Sequence, residues 1–275
     1  MNYKSTSVPS GFAKLDEKTG GWRPGDFAII AGRPSMGKTA FALSMARNMA
    51  IDHDCGVAYF SAEMSERSLM ARMFHAETEF DVQQIIHANK PAWEQLNSKM
   101  AKLIDAPLYI DDTPAPSVSE IREKCQQLIV KNDIKVAIID YLQLMTWMGD
   151  EKLSREQEEL NITRTLKAIA VELNIAVIAL GQLNRCVNNW KDRCKRPILS
   201  DLPSEGIAQN ADMVILIHRP EYYGIYEDSE GNELSGVAEI IISKNRNDIL
   251  GDVRLTFDNK FYKFVDSEIT GAENV

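Results

Sequence analysis

This chain has no excess of positive charge, few cysteines and no long apolar run, and each shortage closes off a class of protein. The 31 Lys and Arg stand against 40 Asp and Glu, a formal net charge of −9 over 275 residues. That balance excludes a surface that is basic all over, but it leaves room for nucleic acid held by a local basic patch. The 4 cysteines, Cys55, Cys125, Cys186 and Cys194, contain no Cys-x-x-Cys pair. They read as reduced thiols of a cytoplasmic protein rather than as a disulfide frame or a zinc site across Cys186 and Cys194. No apolar stretch approaches the roughly 20 residues that a bilayer-spanning helix needs, and the polar residues 1–6 lack the core of a signal peptide. A cytoplasmic location and no membrane partner are therefore expected. Fixed-period repeats and low-complexity tracts are lacking as well.

What is present begins with Gly32-Arg33-Pro34-Ser35-Met36-Gly37-Lys38-Thr39, which fits the phosphate-loop pattern G-x-x-x-x-G-K-[ST]. An apolar run, residues 26–31, precedes it as a buried strand, and residues 40–50 follow with apolar positions at helical spacing. The glycines let backbone N–H groups wrap a phosphate, and the helix adds its positive N-terminus. Lys38 would reach the β- and γ-phosphates of a nucleoside triphosphate, and the Thr39 hydroxyl would ligate Mg²⁺.

Further strands are expected over residues 57–61, 108–112, 136–140, 176–180, 213–217, 238–242 and 253–257. Helices are expected over residues 66–77 behind a Ser65 cap and over 117–130 behind a Ser117-x-x-Glu120 capping box. A long helix is expected over 151–173, with Leu160, Leu166, Ile169, Ala170 and Leu173 on its inner side, and one or two over 81–105, interrupted at Pro91. Continuous apolar strands alternating with helices imply a mostly parallel α/β sheet covered on both faces. The late strands have little helix between them, so the sheet should finish antiparallel, with a solvated hairpin tip at residues 226–235. Residues 1–10 read as a loose lead-in, 11–267 as one domain and 268–275 as a tail.

In open α/β sheets ligands sit beyond the carboxyl ends of strands, which directs attention to Glu63, Asp140, Gln182, Lys244 and Arg246. Asp140 closes four apolar residues and suits the acid that holds Mg²⁺ opposite Thr39. From the residues alone Glu63 has two readings, the base for an attacking water or an acid favouring a helix N-terminus. Gln182, an amide, either senses the γ-phosphate by hydrogen bond or caps a loop. Residues 184–196 carry 5 basic groups, Arg185, Lys191, Arg193, Lys195 and Arg196, against the single acid Asp192. They suit either a loop touching phosphates or an ordinary solvated loop.

Taken together, Gly32–Thr39, Phe60-Ser61-Ala62-Glu63-Met64, Ile139-Asp140-Tyr141-Leu142-Gln143, Gln182-Leu183-Asn184-Arg185, Lys195-Arg196-Pro197, Ser200-Asp201-Leu202 and Lys244-Asn245-Arg246-Asn247 stand in one order. In that order the chain resembles the ATPase domain of DnaB-type replicative helicases over residues 8 to 265. The resemblance implies a RecA-like P-loop fold and a hexameric ring that moves on single-stranded DNA and unwinds duplex using ATP and Mg²⁺. A primase or helicase loader is an implied partner. It makes Glu63 the catalytic carboxylate, Asp140 the metal-site acid and Gln182 the γ-phosphate sensor. Lys38 would bind and activate the phosphates. Lys244 and Arg246 become fingers that enter a neighbour's ATP site. DNA contact falls to the basic segment 185–196 and to the region of Ser204, Glu205 and Gly206. Pro203 stands where the family has arginine and Asn210 where it has aspartate, which puts coupling to DNA in question. The family's N-terminal helical domain and linker helix do not precede Gly11, so an excised domain and a naturally short protein both fit. A monomer or weak oligomer is expected for this chain alone. The alternatives are a RecA-like DNA-binding ATPase without unwinding, and a nucleotide-switched assembly module.

Overall fold

The structure is a computed structural model that describes residues 7–80, 90–147, 153–184, 196–246 and 249–267. A short helix, α1 (Ala13–Thr19), leads into β1 (Phe27–Gly32), α2 (Lys38–Arg47), β2 (Gly56–Ser61) and α3 (Glu66–Thr78). Next come α4 (Lys90–Asp105), β3 (Leu108–Asp111), α5 (Val118–Asn132), β4 (Ile134–Asp140), α6 (Arg155–Leu173) and β5 (Ala176–Gln182). The chain continues through α7 (Glu205–Asn210), β6 (Met213–His218), β7 (Val237–Asn245), β8 (Gly251–Asp258) and β9 (Lys263–Asp266).

The strands form one sheet in the order β3-β2-β4-β5-β1-β6-β7-β8-β9. Strands β1 to β6 pair in parallel, and β7, β8 and β9 add antiparallel edges. The continuous apolar runs are explained by two cores. Ile30, Tyr59, Ile138 and Ile178 pack on one face, while Ile29, Phe60, Ile139 and Val177 pack on the other. With both faces covered the pleat is apolar apart from a few positions near strand ends, such as Lys135 and Ser61, and each buried Ile or Phe contributes about 1.5–3 kcal/mol. Serine caps set the helix starts. Ser65 accepts from Ser68, and capping boxes close at Ser117 with Glu120 and at Ser154 with Gln157.

Three local expectations are corrected. Leu160 is 39 % exposed, because Glu159, Ile162, Thr163, Leu166, Ile169 and Ala170 form the buried stripe of α6. Leu160 instead lies against α7, so closely that a Cβ on Gly206 would come within 2.5 Å of it. Pro91 sits in the first turn of α4, where its missing N–H costs nothing. Residues 81–89 lie outside the described residues. Strand β9 was not anticipated; it has four residues, with only Phe264 buried. Of the expected lead-in, residues 7–10 are described, and there Val8 is buried and exchanges two 2.8 Å backbone hydrogen bonds with Trp22.

Candidate active site

Strand β1 ends at the loop that the sequence marked for phosphate. Gly37 has φ +90°, and a Cβ there would meet the Phe264 ring at 3.1 Å; at Gly32 a Cβ would press on the Ile217 carbonyl at 3.2 Å. Both glycines are therefore required by close approach, and Gly37 by its backbone angle as well. The loop hands over to α2 at Lys38, whose Nζ donates to the Gly32 and Arg33 carbonyls at 3.0 Å each. Pro34 and Ser35 are exposed and Arg33 is half-buried, whereas Met36 is buried and serves packing rather than contact.

Asp140 stands two strands away, at the carboxyl end of β4, and is 2 % exposed. The Tyr59 hydroxyl donates to it at 2.9 Å, and the Thr39 hydroxyl lines the same cleft as a second neutral donor that favours the carboxylate. Burial raises the Asp140 pKa above the ordinary carboxylate value, an effect that those two donors and the Lys38 charge oppose. Burial likewise lowers the Lys38 ammonium, against the pull of Asp140 and Glu63. Glu63, exposed just past the end of β2, lines the same cleft as Lys38, Thr39, Asp140 and Gln182, a space of about 790 Å³. The oxygens of Thr39 and Asp140 form a hard, partly anionic donor set, which fits Mg²⁺.

Gln182 closes β5 in register with Gly32. Its backbone is clamped by Gln143, which accepts from the Gln182 N–H at 3.2 Å and donates to its carbonyl at 3.4 Å. In sequence Gln143 carries no evident task; its place in the short turn after Asp140 is the one signal it offers. A second omission is the far wall of the cleft, supplied by Arg219, Phe257, Tyr262 and Phe264. Arg219 lies 3.8 Å above the Phe257 ring and donates to Asn259 at 2.8 Å. Tyr262 is 64 % exposed beside it. A guanidinium next to an exposed phenol suits a flat, π-rich group.

Lys244 and Arg246 are not at this cleft. They lie at the end of β7, which runs antiparallel, opposite Met213 and Val214 at the start of β6. One β1 length, six residues or about 20 Å, separates that edge of the sheet from the phosphate loop. Lys244 donates to the Ala208, Gln209 and Ala211 carbonyls, and Arg246 pairs with Asp212 at 2.6 Å. Burial lowers the Lys244 pKa; the Asp212 charge opposes it. Ser204, Glu205 and Gly206 sit at the start of α7, with Glu205 exposed. Arg185, Lys191, Arg193 and Lys195, like Cys186 and Cys194, lie outside the described residues. Arg196 is described, and its guanidinium is bound by Glu239 at 2.8 Å and by Asp252. The remaining cysteines, Cys55 and Cys125, are free and buried, their thiols pushed up to about 11 and about 12. Among the described residues no helix is long and apolar enough to cross a membrane.

A parallel sheet with a phosphate loop after its central strand, and a Thr–Asp pair and a carboxylate in the same cleft, defines a RecA-like P-loop protein. The chain belongs to the DnaB-like helicase C-terminal domain family, whose model matches residues 7–266. It is 43 % identical over 266 residues to the replicative DNA helicase DnaB of Geobacillus stearothermophilus and 44 % identical to the replicative DNA helicase DnaC of Bacillus subtilis. Each alignment covers 96 % of this chain but 57 % of the relative, so the chain spans little more than half their length. A solved DnaB-like replicative helicase, described with its interactions with primase, superposes with TM-score 0.85 at 36 % identity, covering 96 % of this chain and 62 % of that one. A solved ATPase domain superposes with TM-score 0.86 at 36 % identity and covers 97 % and 93 %.

Proposed function

We propose that this chain is the ATP-hydrolysing motor of a replicative-type DNA helicase, working in the cytoplasm as a ring on single-stranded DNA. The observation that carries the reading is the convergence of Lys38, Thr39, Glu63 and the buried Asp140 on one cleft. In this reading the loop N–H groups and Lys38 hold the β- and γ-phosphates. Glu63 takes a proton from the water that attacks the γ-phosphorus, while the bond to the bridging oxygen breaks and ADP leaves. Thr39 and Asp140 hold Mg²⁺, which when bound supplies positive charge to the phosphate oxygens. Gln182, fixed through Gln143, reports the presence of the γ-phosphate along β5. Arg219 and Tyr262 take the base.

The chain's own Arg246 cannot complete its own cleft from the opposite edge of the sheet. We therefore assign Lys244 and Arg246 to the cleft of a neighbouring copy, where a cation stabilises charge developing on the transferred phosphoryl group. DNA contact is assigned to the basic segment 185–196 and to Ser204, Glu205 and Gly206. Primase, a partner of one structural relative, is a candidate partner of the longer protein. The test is ATP turnover with and without single-stranded DNA over a range of chain concentrations. Turnover should rise with both; its indifference to DNA at every concentration would sink the motor reading. Unwinding of a forked duplex then separates a helicase from a DNA-binding ATPase that does not unwind.

A further inference from the structure

Asp212 is 3 % exposed and follows α7 directly, at the edge of the sheet opposite the phosphate loop. Its Oδ2 accepts from the Phe27 N–H at 2.8 Å and from Lys167 Nζ at 2.6 Å, while Oδ1 meets Arg246 Nε at 2.6 Å. The backbone adds a further tie, since the Arg246 N–H donates to the Asp212 carbonyl at 2.9 Å. Phe27 opens the central strand and Lys167 belongs to α6, so the carboxylate is fixed on two sides by the rigid body of the domain.

How Arg246 is held matters. A guanidinium stored away from its work would be expected to engage a carboxylate through two parallel N–H groups, the strongest geometry open to it. Here Asp212 Oδ1 lies against Nε, the nitrogen nearest the stem, as an ion pair without a hydrogen bond, and the Arg246 side chain remains 65 % exposed. Among the described residues Asp212 is the one carboxylate in contact with it. The grip directs the side chain without consuming the far end of the fork. Lys244 is held in a related way: its ammonium caps three carbonyls around the end of α7, the same helix that Asp212 follows.

We infer that Asp212 is a positioning residue for Arg246, holding its stem so that the free guanidinium edge meets the γ-phosphate in the cleft of an adjacent copy. This rests on the trans assignment made above. It adds a specific consequence: loss of Asp212 impairs the neighbour's cleft and spares the cleft of the chain that carries the substitution. Freeing the stem restores rotamer entropy that the grip had removed beforehand, and the transition state must then bear that cost.

Mixed assemblies test this. Arg246→Ala chains keep their own cleft and lack a finger; Glu63→Gln chains keep the finger and lack the base. Mixing the two should restore turnover above either alone, and failure here would count against the trans assignment itself. Replacing the Glu63→Gln partner by Glu63→Gln/Asp212→Asn should cut the restored turnover at least tenfold, with KM for ATP unchanged. Conversely, Asp212→Asn chains mixed with Glu63→Gln chains should keep turnover, because their clefts are served by intact fingers. Undiminished rescue in the second mixture overturns the inference, and so does equal loss in the second and third, which would mark Asp212 as merely structural. Should Asp212→Asn fail to fold, Asp212→Leu/Lys167→Met replaces the buried pair by apolar side chains and is held to the same outcomes.

Discussion

Two buried acids at opposite edges of one sheet show how differently a carboxylate can be satisfied. Asp140 is 2 % exposed and Asp212 is 3 % exposed. Asp140 is held by a neutral hydroxyl, that of Tyr59, and faces an open cleft with no ion pair among the described residues. Asp212 is held by two cations, Lys167 and Arg246, and its charge is already compensated. Burial alone therefore does not mark a functional acid; the partners decide. One edge is built to receive charge from outside the chain, whereas the other arranges charge that the chain already carries.

The comparison is most sharply broken by Lys38→Ala, which should abolish nucleotide binding, read by titration with a fluorescent ATP analogue. Arg246→Ala, at the other edge, should leave that titration intact and lower turnover by about 10³-fold. Equal loss of binding in both variants would show that the two edges do not divide the labour. A third test concerns His218, at the carboxyl end of β6, where burial depresses its pKa from 6.5 to about 4, with Arg196 and Arg33 adding to the effect and Glu239 opposing it. Above pH 6.5 the imidazole is neutral whether the chain is folded or not, so it contributes no pH dependence there. As pH falls from 6.5 to 4 only the unfolded chain takes the proton, and the fold loses roughly 2–3 kcal/mol. His218→Phe should flatten the acid limb of denaturant midpoints by that amount, and an unchanged limb would refute the assignment. The smallest contrast is in stability itself. Asp212→Asn should cost about 2 kcal/mol by leaving Lys167 and Arg246 poorly paired. Asp140→Asn should cost less, since an amide oxygen still accepts from the Tyr59 hydroxyl; thermal midpoints in the same buffer compare the two.

Much of the site was legible because its chemistry is local. The phosphate loop, its strand and its helix lie within residues 27–47, and Asp140 is announced by the apolar run before it. The nine-stranded sheet was legible for a similar reason, since strands buried on both faces leave uninterrupted apolar runs. What escaped depends on distant partners. Gln143 gains its task only when β4 and β5 lie side by side. Arg219 follows the parallel strand β6 and Tyr262 precedes β9, and the two meet at the cleft only once that end of the sheet is assembled. Asp212 reads in sequence as a lone acid ahead of a strand, although three separate elements meet on it. Leu160 was misplaced because a helix flanked by a second helix carries two apolar stripes, and periodicity alone does not say which one faces the sheet.

Strand β9 has a consequence for how the molecule comes into being. Phe264 packs on Gly37 and edge-on to Phe41, and its N–H donates to Ser44, so a wall of the phosphate loop comes from more than 200 positions later in the chain. Asp266 reaches further back and accepts from the N–H of Ala13 at 3.1 Å. During synthesis the loop leaves the ribosome long before the residues that brace it. The loop is thus translated well before the strand that braces it, and its wall is complete only once β9 is in place.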